Sequence, residues 1–373
     1  MLNVCIIGIG NCGNQIADLA FKERQIPAVA INSSTKDLQN VKHIPKLTIG
    51  DEKGAGKDRA TAKMFVKEKI KTLLEHQQLQ DLIAPQDVVF IISSIGGGTG
   101  SGMVPMMTDI LSRQHPAKRF IIIEVYPPIK ESLGAQQNSI EFLNEVKNNL
   151  PNVTYMCYDN NRFADLPTSE MMERVNAEII EHIDIIKGEY LYATPYNSID
   201  EKDMMRFLTT AGRLAVFDYQ YFLEKDLDNH SIEETLIDII KNESANVELE
   251  RDKIIKRFGV ITNLNEKINK TFDSSLNTVK DLIGEPVESF EHIYITSDKE
   301  EDNRVIVILA GLSIPDDRIT KIAQRIQEAL DELGKKKETS VLDDFDTDSL
   351  RELRSEDGTN ASLDLDDVFS KFM

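Results

Sequence analysis

The stretch that most restricts this chain is Gly96-Gly97-Gly98-Thr99-Gly100-Ser101-Gly102. It follows residues 88–92, Val-Val-Phe-Ile-Ile, an apolar run of the kind buried on both faces in a parallel sheet. It precedes residues 103–111, whose apolar positions recur at helical spacing. Strand, glycine loop and helix start together make the geometry in which bare N–H groups and a helix dipole converge on an anion. The glycines remove the Cβ atoms that would hold a phosphate at a distance. Thr99 and Ser101 add hydroxyls able to bond phosphate oxygens. A flexible Ser/Gly linker has a similar composition, but a linker is not wedged between a buried strand and a helix.

The loop lacks the Lys-Ser or Lys-Thr ending of a Walker A loop, and the stretch 50–58 fails that pattern too, with Asp58 where the hydroxyl belongs. A second strand–loop–helix unit opens the chain. Residues 4–9 are apolar, and Gly8, Gly10 and Gly13 then fit GxGxxG, the dinucleotide-binding spacing. That reading requires an acidic residue at the end of the next strand, for the ribose. Residues 28–31 end instead in Asn32-Ser33-Ser34. Two such units predict an α/β, Rossmann-like nucleotide-binding domain around a parallel sheet.

Bulk properties narrow the partners. A net charge of −20 argues against the body gripping a phosphodiester backbone directly. Cys5, Cys12 and Cys157 show neither CxxC nor Cys/His metal spacing, which suggests a reducing compartment. There is no apolar run of the ~18–20 residues a membrane span needs and no signal-peptide pattern, so a cytoplasmic location is expected.

With both glycine loops in view, the chain resembles the tubulin/FtsZ superfamily over about residues 3–215. The run 96–102 is similar to that family's central phosphate loop, and Gly10, Asn11, Cys12, Gly13 and Asn14 to its first. The resemblance implies GTP or GDP with Mg²⁺ at these loops. Asn32 stands where the second loop begins, and Gly54-Ala55-Gly56 matches the third, near the γ-phosphate, although a turn before a helix has the same composition. Glu131 matches a ribose-binding carboxylate, although a Glu there also suits a helix dipole. Asn160 and Asn176 match the residues that read guanine. Asn176 sits in the apolar pattern of a helix expected over 167–186, one turn after Met172, where the family often has an aromatic. Asp200 and Asp203, one helical turn apart, match the Asp-x-x-Asp of the seventh loop, which in the family reaches the nucleotide of the next subunit. An acidic helix start would look the same. Asn197 and Ser198 both remain open for that loop's Asn.

The resemblance thus implies an assembly-activated GTPase that builds head-to-tail filaments. The expected domains are 1–165 for nucleotide binding, 166–188 for a central helix and 189–220 for the seventh loop and a helix over 204–217. A smaller α/β domain over 221–314, a last helix over 315–334 and a flexible acidic tail over 335–373 follow. The tail's composition reads as disordered. Its end breaks the pattern, because Leu365, Val368, Phe369 and Phe372 recur at i, i+3, i+4 and i+7, as in a segment that folds on a partner. This ending is similar to that of TubZ-type plasmid and phage partition tubulins. That implies a DNA-binding adaptor on a centromere-like site as the tail's partner. An FtsZ-like division GTPase with a membrane adaptor, and an NAD-binding oxidoreductase, are the alternatives.

Overall fold

The computed structural model describes residues 1–227, 231–250, 255–273, 276–296, 303–337 and 370–373. The named strands join one sheet: β1 Val4–Ile9, β2 Ala28–Asn32, β3 Lys46–Thr48, β4 Val88–Ser94, β5 Arg119–Tyr126, β6 Thr154–Asp159, β7 Gly212–Gln220, β8 Ile255–Asn265, β9 Pro286–Thr296 and β10 Arg304–Leu312. Their order is β3-β2-β1-β4-β5-β6-β7-β10-β8-β9. The first six run parallel, while β10 pairs antiparallel with both β7 and β8. Seven helices position the site: α1 Gly10–Arg24, α2 Arg59–Leu74, α3 Thr99–Gln114, α4 Leu133–Asn149, α5 Thr168–Lys187, α6 Glu201–Leu208 and α7 Asp316–Lys337.

Alternation along the parallel strands builds two apolar layers. Val4 and Ile6 of β1 join the cluster that contains Ile16 and Ala20 of α1 and Val175, Ile179 and Ile183 of α5. Cys5, Ile7 and Ile9 join the other, with Val66 of α2, Met103 and Ile110 of α3, Phe142 of α4 and Ile322 of α7. A third cluster fills the smaller domain around Phe217, Phe258 and Val307. The expected α/β architecture, parallel sheet and central helix are present, and α5 falls within a residue of its expected bounds.

One expectation is corrected. The helix expected over 204–217 ends at Leu208, and Gly212, at φ 109°, turns the chain into β7. Leu214-Ala215-Val216-Phe217 is a fully buried run, and periodicity alone does not separate a buried strand from a helix at that length. The difference matters, because β7 touches β6 only through Thr154–Gly212 and Tyr155–Arg213 yet pairs along its length with β10. It therefore welds the smaller domain onto the parallel sheet.

No helix among the described residues is long and apolar enough to cross a membrane. Of the tail positions, Leu365, Val368 and Phe369 lie outside the described residues. Phe372 is described, and it is buried.

Candidate functional site

The strand order 3-2-1-4-5-6 reverses direction between β1 and β4, and at such a switch point the two carboxyl ends diverge to leave a crevice. Both glycine loops open there. Gly10, at φ 74°, follows β1, and a Cβ on it would lie 3.1 Å from the amide N of Gly100. Gly98 caps α3 without a side-chain partner for the helix, so N–H groups of the first turn are left free for a ligand. The two central glycines serve different ends. A Cβ on Gly98 would sit 2.5 Å from the Lys57 backbone, whereas one on Gly97 would meet nothing within 4 Å. Gly98 permits a close loop–loop approach, and Gly97 faces open space.

The third loop lies against this one. Gly54, at φ 96°, donates its N–H to Ser33 O at 3.0 Å, and the Ala55 carbonyl accepts from the Asp58 N–H at 2.8 Å. Asp58 caps α2 through the amides of Ala60 and Thr61. The Thr61 hydroxyl, first among those bonds, holds its carboxyl below the ordinary range. Thr99 Oγ1 and Ser33 Oγ are 2.7 Å apart, joining the central and second loops. Asn138 of α4 donates its amide to Lys57 O and Gly96 O, at 3.0 and 3.2 Å. Arg59 is buried and reaches Ser101 O at 3.0 Å, held from behind by Glu141 and Glu145 at 2.9 and 2.8 Å. That arginine is spent on the scaffold.

The predicted asparagines and hydroxyls divide by role. Asn14 Oδ1 accepts from Ile31 N at 3.1 Å and Asn32 Oδ1 from Ser34 N at 3.1 Å, while Nδ2 of both is buried without a partner. Orphaned donors beside the crevice suit an anionic ligand. The Ser101 hydroxyl donates to Gly97 O and is fully buried, so it shapes the loop from inside. Asn11 accepts from Gln15 on the exposed side of α1. Among the described residues no three His, Cys, Asp or Glu side chains gather for a metal. The hydroxyls of Thr99 and Ser33 fit a Mg²⁺ that keeps its waters and leans on phosphate oxygens.

The remaining predicted residues lie on loops at the carboxyl ends of β5 and β6 and on α5. Burial pushes the Cys12 thiol up to about 12, and the Glu131 carboxylate adds to the rise, which places Glu131 within electrostatic range of the first loop. Asn160 opens a short 3₁₀ turn after β6, and its neighbour Asn161 accepts from Ile129 N at 3.1 Å, tying the loop after β5 to the turn after β6. Arg318 of α7 clamps both, with Nε 2.6 Å from Asp159 Oδ2 and a guanidinium N–H donating to Pro127 O at 2.7 Å. Asn176 is only half-buried on α5, so it needs no buried partner of its own. Met172, one turn earlier, packs partly buried on the same cluster as Cys12.

Asp200 and Asp203 are elsewhere. Asp200 caps α6 and accepts from Asp203 N at 2.9 Å, and Asp203 Oδ2 accepts from Asp200 N at 3.2 Å. This reciprocal capping box fixes the two carboxylates side by side. Asp200 lines a cavity of about 230 Å³ together with Leu2, Lys187 and Gly188. That is the end of the sheet where β1 begins and α5 stops, Leu2 N donating to Lys187 O at 2.9 Å. The glycine loops lie at the other end.

Asn138, Arg59 and Arg318 carry no motif in the sequence. Only Arg318 leaves a trace, as a cation beside the apolar positions Ile319 and Ile322.

A strand order of this kind, with glycine loops gathered at its switch point, defines a nucleotide-binding α/β protein. Residues 3–167 match the Tubulin/FtsZ family, GTPase domain. The chain is 27% identical to the tubulin-like protein CetZ of Pyrococcus furiosus over 365 residues, 92% of this chain and 97% of that one. It is 22% identical to the tubulin-like protein TubZ of Clostridium botulinum C phage over 366 residues, 93% of this chain and 92% of that one. A GTPγS-form protofilament of TubZ from Bacillus thuringiensis serovar israelensis has the same fold, with a TM-score of 0.73 at 15% identity over 91% of this chain and 94% of the other.

Proposed function

We propose that this GTPase assembles head to tail and hydrolyses GTP only where two copies meet. One observation carries the reading. The phosphate loops and the Asp200–Asp203 pair stand at opposite ends of the sheet, separated by the 20-residue α5. At 1.5 Å per residue that helix spans about 30 Å, beyond the reach of any side chain. The carboxylates of one copy therefore serve the nucleotide of the next. Such a contact is heterologous and does not close, so it yields a filament.

In this reading Gly10, Gly13, Gly96–Gly98 and Thr99 hold the phosphates, and Gly54-Ala55-Gly56 closes over the γ end. Glu131 bonds the ribose, and Asn160 and Asn176 read the guanine edge, which needs both a donor and an acceptor. Mg²⁺, when bound with the nucleotide, neutralises phosphate charge. Asp200 and Asp203 of the neighbouring copy orient the attacking water and accept its proton, phosphoryl transfer being mostly positioning and electrostatics. Hydrolysis loosens the contact.

For the cellular role, the likeness to a phage TubZ supports DNA segregation, with the tail engaging a DNA-binding adaptor on a centromere-like site. A division-type filament is the second reading, supported by 30% identity over 115 residues to the cell division protein FtsZ 1 of Pyrococcus furiosus, and it would recruit a membrane adaptor instead. The decisive measurement is GTP turnover per chain against chain concentration. The expected result is a steep rise, with light scattering under GTP and none under GDP. A turnover per chain that stays flat on dilution overturns the shared site, and tighter binding of NAD than of GTP overturns the nucleotide assignment.

A further inference from the structure

The end of the chain returns to its own body. Phe372 is 3% exposed and belongs to the cluster that holds Ile110 of α3, Val146 of α4 and Ile322 of α7. The residue before it is gripped twice by Asn149, the last residue of α4. Asn149 Nδ2 donates to Lys371 O at 3.1 Å, and Lys371 Nζ donates to Asn149 O at 3.1 Å. The same ammonium lies 3.9 Å from Asp109 Oδ1, a carboxylate 7% exposed on α3. A chain end is ordinarily frayed unless something ties it down. Here a buried aromatic, two hydrogen bonds exchanged with Asn149 and a charge contact do so together.

We infer that the face formed by α3 and the end of α4 is a receptor for a peptide carrying a basic residue followed by an aromatic, and that its occupant is this chain's own Lys371-Phe372. Phe372, the last of the tail's apolar positions, is thereby masked. A side chain 3% exposed offers no surface to a second protein, so a partner that takes Phe372 must first displace it from the body. Only this consequence rests on the tail reading given above. The docking rests on the contacts themselves. Because the occupant belongs to the same chain, its binding is intramolecular, with an effective concentration that can reach the order of mM, so weak contacts suffice to keep the site filled. The same arithmetic makes the masking reversible, since a partner needs only a modest advantage over it.

The test uses the full chain and a fluorescein-labelled peptide of residues 362–373 with a free carboxyl end, followed by anisotropy. The intact chain has its site occupied, and the Phe372→Ala chain has it vacated. The peptide is expected to bind Phe372→Ala at least about tenfold more tightly, the ratio of an effective concentration near 1 mM to a dissociation constant near 100 μM. Adding Asn149→Ala to that chain is expected to weaken the peptide several-fold. Amide exchange over 146–150 is expected to quicken in Phe372→Ala relative to the intact chain. Equal affinity for both chains, or binding to neither, overturns the docking. Binding indifferent to Asn149 overturns the assigned site. Neither nucleotide nor adaptor enters the measurement, so its failure would leave the shared-site GTPase untouched, and failure of that reading would leave the docking intact.

Discussion

Asn138 holds two loops with one amide: its Nδ2 lies 3.0 Å from Lys57 O and 3.2 Å from Gly96 O. The third and central loops are thus set relative to each other by a side chain from α4 that faces neither the phosphates nor solvent. Asn138→Ala leaves two carbonyls without this donor and costs about 1–3 kcal/mol of stability. It also loosens the cradle, so GDP affinity is expected to fall roughly tenfold, which corresponds to about 1.4 kcal/mol. Calorimetric titration of GDP and a thermal melt on the same sample check both. An unchanged affinity would mean that the loops hold their spacing without the staple.

Two glycines of the central loop separate folding from binding. A Cβ on Gly100 would fall 1.8 Å from Ser93 Oγ and 3.1 Å from Ile9 O, inside the packed junction of β4 and β1. Gly100→Ala is therefore expected to lower stability by about 1–3 kcal/mol, the cost of overpacking. Gly97 has nothing within 4 Å of a Cβ position. Gly97→Val is expected to melt with the intact chain yet lose GTP affinity at least a hundredfold, because its side chain takes the space of a phosphate. If Gly97→Val bound GTP normally, the phosphates would have to lie elsewhere.

How far the sequence reaches follows from what kind of signal each element carries. The strands that feed the loops are visible because burial on both faces makes them continuous apolar runs, and the glycines because only backbone can approach backbone so closely at Gly98 and Gly100. Residues 212–220 misled because an apolar run beside a short helix has no period of its own, and only the pairing with β10 decides it. Asn138 and Arg318 were invisible for a different reason. Their partners are carbonyls and a carboxylate distant along the chain, and a polar residue on a helix announces nothing about what it meets in three dimensions. The Asp200–Asp203 spacing was legible but carries two meanings, since the box that caps α6 uses the same carboxylates as the proposed chemistry.

Glu124 on β5 gives the fold a pH dependence of its own. It is fully buried, and desolvation pushes its carboxyl up to about 7, against bonds from Cys157 Sγ and Tyr126 OH and the charge of Arg213. A folded value above the unfolded one means the stabilising contribution is complete below about pH 4.5 and is lost as pH rises to 7. The loss is roughly 3 kcal/mol for a shift of this size. Glu124→Gln is expected to flatten the decline of stability between pH 5 and about 8, measured by urea unfolding at several pH values. Parallel curves for the two chains would show that Glu124 ionises as freely inside as outside.

The capping box makes the choice of substitution at Asp200 and Asp203 decisive. Alanine would remove a helix cap worth about 1 kcal/mol along with the charge. Asparagine caps a helix as well as aspartate does at position 200, and at the third helical position, 203, it keeps an oxygen to accept from the Asp200 N–H. Asp200→Asn and Asp203→Asn are therefore expected to keep α6 and the melting temperature while turnover falls roughly 100- to 10,000-fold. GTP binding should persist, and filaments should outlast those of the intact chain. Mixing then tests whether the site is shared. Asp203→Asn chains have sound phosphate loops, and Gly97→Val chains have a sound carboxylate pair. A junction between one of each unites the intact halves, so turnover of the mixture should exceed the sum of the two alone. Strict additivity over the range where both chains co-assemble would place loops and carboxylates in separate mechanisms.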